Sequence, residues 1–372
     1  MKGFKNSNIY VSGKGIIKTS LFFDEGIIKK IGNDLKEKDL IEIPDEYIVV
    51  PGFIDEHIHG ANGFDVSHAD LKGLDVISKA LLQEGVTYFL PTTMSTSYSN
   101  ILLSLKNIAK YQKEQKQGAE VLGIHLEGPF INEELNGAQN QENIIPCDVE
   151  ILKDFIEASN NNIKIITFAY EKDGYKIMPL LKQHNIVGSI GHSKANSKEA
   201  NEAFLNGVTS STHTYNCQSG LHHRDVGVVG SVLLNDNVYA ELIADLKHVS
   251  APAIQILFKM KGPEKIVLIS DATEAKYLKD GEYMLGDQKV YLKDGYVKTE
   301  TGALAGSVLK LNEALKNIHL VVPSLSFTQL IDLVTINPAN NLRLTNVGSI
   351  KVGNKAKFVV IDKDFNVVQT II

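Results

Sequence analysis

The sequence predicts an α/β fold, a (β/α)8 TIM-type barrel joined to a small β-sandwich domain built from both chain termini. Three observations predict it. The middle of the chain alternates strand-length apolar runs with helical patterns. The two ends are both rich in short strands and turns. Most of the strand-like runs finish in His, Glu or Asp, as expected where strand ends converge on one mouth.

Residues 1–50 read as strands and turns in NIYVSG, GIIKTSLFFDEGIIKKIG and IVVPG, and SIKVGNKAKFVVIDKDFNVVQTII at the other end has the same character. The expected small domain therefore takes 1–50 plus 341–372, and the barrel takes 51–340. YIVVPGFIDEHIH supplies the first barrel strand. The other seven are VTYFLPTT (86–93), VLGIHLEG (121–128), IKIITFAYE (163–171), IVGSIGHS (186–193), VTSSTHTYN (208–216), YAELIADLKH (239–248) and KIVLISDAT (265–273). Between them LKGLDVISKALLQEG, NILLSLKNIAKYQKEQKQG, DVEILKDFIEAS, GYKIMPLLKQHN, NSKEANEAFLNG and APAIQILFKMKG have helical period, and several end at Gly. After strand eight, alternation and Asp-Gly turn signals mark a β insertion near 277–303. Helical patterns resume at SVLKLNEALKNIH and LSFTQLIDLVTINPA.

Composition bounds the function. At 372 residues, 43% apolar, 22% charged and net −6, this is an ordinary globular composition. Without a basic block, nucleic-acid binding has no electrostatic support. Two cysteines, Cys147 and Cys217, argue against a disulfide framework or a Cys-based structural zinc site. The opening MKGFKNSNIYVSG lacks an apolar signal core, and no apolar run approaches the ~20 residues of a membrane span. A cytoplasmic protein without a membrane or nucleic-acid partner is the expectation.

The chemistry sits at strand ends. Strand one carries His57 and His59, which point to the same face of a strand. That pair alone is either a solvated strand end or half of a metal site. Strand three adds Glu127, strand five His192, strand six His213, strand seven Asp245 and His248, and strand eight Asp271. Neutral imidazoles and carboxylates suit zinc, iron or manganese. His57, His59, Glu127, His192 and His213 could hold one ion, or two sharing Glu127, with Asp271 as general base. Each residue has a plain reading too. A single strand-end His is often a satisfied structural group, Glu127 before Gly-Pro could cap a turn, and His222 and His223 read as loop residues. Co-location at one mouth favours the site.

PGFIDEHIHG, HLEGPF, GHS, THTYN, HHRDVGVVG, IADLKHV, ISDAT, LAGS and NPA, in this order, resemble the N-acetylglucosamine-6-phosphate deacetylase family of the amidohydrolase superfamily. The likeness covers nearly the whole chain. HLEGPF and the HHR loop are specific to that family, whereas HxH is shared across the superfamily. The resemblance implies removal of acetate from N-acetylglucosamine 6-phosphate, in amino-sugar catabolism or recycling. It implies Glu127, His192 and His213 as metal ligands and Asp271 as the catalytic aspartate. Asn216, Cys217 and His248 fall at substrate contacts, and Leu304, Ala305 and Gly306 at a substrate-lining loop. Ala138, Gln139 and Asp245 join this substrate-binding set. Arg224 falls at the family's phosphate-binding arginine, which enters from the partner subunit of a homodimer. The implied cofactor is a divalent metal, one or two ions per chain, with zinc or iron ahead of manganese or cobalt.

The chain departs from the family at several places. Gln139 stands where some members carry a histidine that polarises the acetyl carbonyl. HxH is present, which goes with a second ion, and that ion would compensate for Gln139. THTYNCQ replaces the more usual THLFNAM, and Lys247 either brings an extra cation near the substrate side or only faces solvent. The rival readings are a deacetylase of the galactosamine epimer or of another N-acyl sugar phosphate, and a cyclic-amide hydrolase. The latter commonly uses a strand-four lysine at the mouth, whereas Lys164 lies at the start of its strand. A catalytically silent relative serving as a binding protein is the reading from a different class.

Overall fold

The computed structural model describes residues 2–372 apart from 34, 36 and 37, so four positions of the expected terminal domain lie outside the described residues. One parallel strand lies within each of the eight predicted runs, shorter than the run in every case. Six form one arc, in chain order: Ile124–Glu127, Ile163–Phe168, Val187–Ile190, Val208–Ser211, Tyr239–Ile243 and Ile266–Ile269. The other two, Phe53–Ile58 and Val86–Pro91, pair with each other in parallel. Backbone bonds join the arcs on both sides. Thr93 N–H donates to His125 O at 3.0 Å, and Asp271 N–H donates to His57 O at 2.9 Å. These strands are apolar and buried because helices cover their outer side.

The first strand differs from its prediction. YIVVPGFIDEHIH is two strands, Ile48–Pro51 in the terminal sheet and Phe53–Ile58 in the parallel arc with Val86–Pro91. The break is at Gly52, where a Cβ would lie 1.9 Å from Thr87 Oγ1. Only a residue without a side chain lets the chain pass that close to the neighbouring strand.

Helices start where local chemistry satisfies their first N–H groups. Asp70, Ser97 and Asp148 side chains cap the helices Leu71–Leu81, Tyr98–Glu114 and Val149–Ala158. Asn196 and Glu199 form a reciprocal capping box on Ser197–Leu205. The helix Gly227–Leu234 was not legible from periodicity. GVVGSVLL is apolar nearly all round and buried on most sides, so it carries no polar stripe to betray a 3.6 period.

Strands from both ends of the chain share one mixed sheet of seven. Its order runs Val367–Ile371, Phe358–Ile361, Ile48–Pro51, Gly3–Val11, Gly15–Asp24, Ile27–Ile31, with Leu40–Ile41 also on the Gly3–Val11 strand. The two layers expected of a sandwich are parts of this one sheet, which turns back on itself. Ile28 N–H donates to Asn354 O and Gly353 N–H to Ile28 O, both at 2.9 Å. Phe4, Ile9, Leu21, Val49 and Phe358 fill the enclosed space, Phe4 and Phe358 meeting edge to face at 5.2 Å. The insertion after strand eight is a three-stranded antiparallel meander, Gly281–Leu285, Gln288–Lys293 and Tyr296–Thr299.

Candidate active site

The candidate residues meet at the C-terminal ends of the barrel strands. Glu127 is the last residue of strand three, and His57 lies within strand one. His192, His213 and Asp271 each stand two residues past the end of their strand, and all three hold left-handed backbone, with φ of +45°, +31° and +47°. Each such residue costs on the order of 1–3 kcal/mol and persists because its surroundings hold it. The conformation ends the strand and turns the side chain inward instead of continuing the alternation.

Two donor groups result. Glu127, His192 and His213 form one, and His57, His59 and Asp271 the other, with the ligand atoms of each within 4.8 Å of one another. Glu127 spans both. Its Oε1 lies 3.1 Å from His213 Nε2, 3.3 Å from His192 Nε2 and 3.6 Å from His57 Nε2, while Oε2 lies 3.3 Å from His59 Nε2. Asp271 Oδ1 is 3.2 Å from His59 Nε2 and 3.6 Å from His57 Nε2. A third group, His57, His125 and Glu241, is of another kind, because both ring nitrogens of His125 already bond to Glu56 O and Thr167 Oγ1.

The imidazoles are set for metal. Nδ1 of His192 faces Leu135 O at 2.7 Å, Nδ1 of His59 faces Thr92 O at 3.2 Å, and Nδ1 of His57 faces Glu241 Oε2 at 3.0 Å. Acceptors at Nδ1 place the proton there and leave Nε2 with its lone pair, the form a metal takes. The Nε2 atoms then confront each other, at 3.3 Å for His57 and His59 and 3.2 Å for His192 and His213. His213 Nδ1 is buried without a partner among the described residues, so only the other three rings have their tautomer set, and their Nε2 lone pairs beside buried carboxylates fit a cation between them.

Charge follows the same logic. Burial alone would raise Asp271, but positive charge on His57 and His59, the charge a bound cation would supply in their place, outweighs it and holds the carboxyl at about 2. Burial likewise works against ionised Glu127, and positive charge on the surrounding imidazoles carries it well below the usual carboxylate range. Glu241 is pushed up to about 8, chiefly by burial.

A cavity of about 300 Å³ opens over this centre. Of the predicted substrate set, Ala138, Gln139, Asn216, Cys217, His248, Leu304, Ala305 and Gly306 line it. Asp245 stands behind His248, accepting from its Nδ1 at 2.7 Å. Arg224 lies exposed, away from the cavity of its own chain. Gln139 is the buried exception to its expected use. Its Nε2 donates to Glu127 Oε2 at 2.9 Å and its Oε1 accepts from Ser95 N–H at 2.8 Å, so the amide is committed to the carboxylate.

Sequence reasoning missed Glu241 and the lining residues Met94, Gly137, Ile243, Leu285 and Ala303. A lone Glu inside the apolar run YAELI was the available signal for Glu241. Met94 and Ile243 sit at strand ends like the residues that were found, but carry no reactive group to draw notice.

The sequence profile of the amidohydrolase family matches residues 48–372. The chain belongs to the amidohydrolase family. Within that family, N-acetylglucosamine-6-phosphate deacetylase of Bacillus subtilis is 38% identical over 336 residues, covering 89% of this chain and 85% of the relative. N-acetylgalactosamine-6-phosphate deacetylase of Escherichia coli O157:H7 is 35% identical, covering 87% of this chain and 86% of the relative. The crystal structure of N-acetylglucosamine-6-phosphate deacetylase from Thermotoga maritima superposes with a TM-score of 0.91 at 34% identity, covering 99% of this chain and 97% of that one. The amidohydrolase match begins at residue 48, where the chain is about to leave the terminal sheet for the barrel. Among the described residues, no helix is long and apolar enough to cross a membrane.

Proposed function

We infer that this chain is a metal-dependent hydrolase that removes acetate from N-acetylglucosamine 6-phosphate, leaving glucosamine 6-phosphate. The observation that carries the reading is Glu127 between two imidazole groups, with Asp271 facing the same cavity. We take the metal ligands to be His57, His59, Glu127, His192 and His213, holding one or two ions of zinc or iron, or of manganese or cobalt. A bound divalent ion lowers the pKa of water toward neutrality and polarises a carbonyl. Asp271 accepts the proton from the attacking water and delivers it to the departing nitrogen, base first and acid second. Asn216, Cys217, His248 and Leu304–Gly306 orient the sugar, and Arg224 holds the phosphate from the neighbouring subunit of a homodimer. The two strand arcs close into one barrel (residues 51–340), the terminal strands forming a second domain, in a cytoplasmic protein. The backbone bonds at both seams support that closure.

The Escherichia coli relative favours one second reading, the galactosamine epimer, since a single hydroxyl contact separates the two sugars. Acetate release from both hexosamine phosphates, with metal content measured on the same sample, tests the proposal. Faster release from the glucosamine compound is expected. Release from neither, with metal supplied, would leave a silent binding protein.

A further inference from the structure

The meander after strand eight has two turns, and each is tied to a different barrel loop. At Gly286–Asp287, Gly286 N–H donates to Asp65 Oδ2 at 3.0 Å and Gly286 O meets His68 Nε2 at 3.2 Å. Asp65 and His68 follow barrel strand one. At Asp294–Gly295, Lys247 Nζ donates to Gly295 O at 2.6 Å and stands 4.5 Å from the Tyr296 ring centre. Lys247 follows barrel strand seven.

The Lys247 attachment is supported from both of its ends. Asp245 Oδ1 accepts from the N–H groups of Lys247 and His248, each at 2.9 Å. That turn sends His248 into the cavity and Lys247 to the meander. Gly295 has φ +72°, which suits a glycine in this turn, and its bare Cα leaves room for the ammonium beside it.

The meander in turn shapes the cavity. Leu285 reaches its wall. Ala305 N–H donates to Val297 O at 3.1 Å, hanging the substrate-lining loop from the strand Lys247 holds. Ser307 N–H donates to Asp271 O at 2.8 Å, which carries the same linkage to the catalytic aspartate's backbone.

We propose that the meander is a cover seated across the mouth by two pins, Asp65–Gly286 and Lys247–Gly295, and that Lys247 is a positioning residue setting substrate affinity. The affinity half rests on the activity proposed above; the seating half does not. Lys247→Met keeps the aliphatic stem and removes the ammonium. Amide hydrogen exchange across 293–299, measured on the substrate-free protein, should quicken about tenfold, in line with loss of one charged hydrogen bond and a cation–π contact. KM for N-acetylglucosamine 6-phosphate should rise about tenfold with kcat within about twofold, and Lys247→Arg should restore most of both. Unchanged exchange in Lys247→Met overturns the pin. A fall in kcat with KM unchanged overturns the affinity role. Quickened exchange in a protein that releases acetate from no hexosamine phosphate removes the proposed activity and leaves the pin standing.

Discussion

Gln139 and Glu127 are joined by a buried amide-to-carboxylate hydrogen bond of 2.9 Å, Gln139 lying twelve residues on, in the loop that follows the strand ending at Glu127. The same loop holds a second candidate ligand, because Leu135 O accepts from His192 Nδ1 at 2.7 Å. One segment therefore orients groups from two strands. Gln139→Leu strips Glu127 Oε2 of its amide partner and orphans the Ser95 N–H. Loss of such outer contacts costs metal affinity about 10–100-fold. Competition against a chelator of known affinity measures it, and unchanged affinity would mean Glu127 is held by the imidazoles alone.

If His57 and His59 are ligands as proposed, they set the number of ions. The unmodified protein should carry about two per chain, and a His57→Ala/His59→Ala variant about one, held by Glu127, His192 and His213. Elemental analysis of both proteins gives the answer. Equal metal content would refute a ligand role for the pair.

Asp271→Asn keeps the size of the side chain but cannot accept the proton. Turnover should fall by about 10²–10⁴, the usual contribution of a general acid–base, while metal content stays level. Near-normal turnover would take Asp271 out of the chemistry.

Arg224 is exposed in the single chain, so its proposed use depends on a second subunit. Arg224→Ala should raise KM for the phosphorylated sugar about ten- to a hundredfold, the scale of a charge-assisted hydrogen bond, and leave the non-phosphorylated sugar unaffected. Equal losses on both sugars would contradict phosphate binding.

Asp332 links the terminal sheet to the barrel, accepting from Tyr10 Oη at 2.7 Å. Burial raises its carboxyl to about 6, against the opposing hydrogen bond from Tyr10. The folded state therefore keeps a proton that the unfolded chain releases near pH 4. The favourable contribution is complete below that pH and is lost as pH rises through about 6. Asp332→Asn stays neutral throughout, so its Tm relative to the unmodified protein should climb between about pH 4 and 6.5. A constant difference across that range would show that Asp332 does not titrate there.

Much of the architecture was legible locally. The eight barrel strands and most helices announced themselves through β-branched runs, helical period and caps such as Asn196 with Glu199. The places that failed had no local signature. Gly52 divides two strands because Thr87 lies against it, and Gly227–Leu234 is buried on most sides and so shows no periodicity. Predicted strands also ran past their true ends, since the left-handed turns at His192, His213 and Asp271 are held by their surroundings rather than by residue type.

By itself the sequence determined the succession of strands along the chain and which strand ends carry imidazole or carboxylate, because hydrophobic pattern and side-chain type are written residue by residue. Tertiary structure alone decided the partners. His57 turns its Nε2 to the centre because Glu241, 184 residues away, takes its Nδ1. Gln139 serves the carboxylate rather than the open cavity, and Lys247 serves the meander rather than solvent. A side chain's chemistry is local, but the group that completes its hydrogen bond is chosen when distant segments pack together.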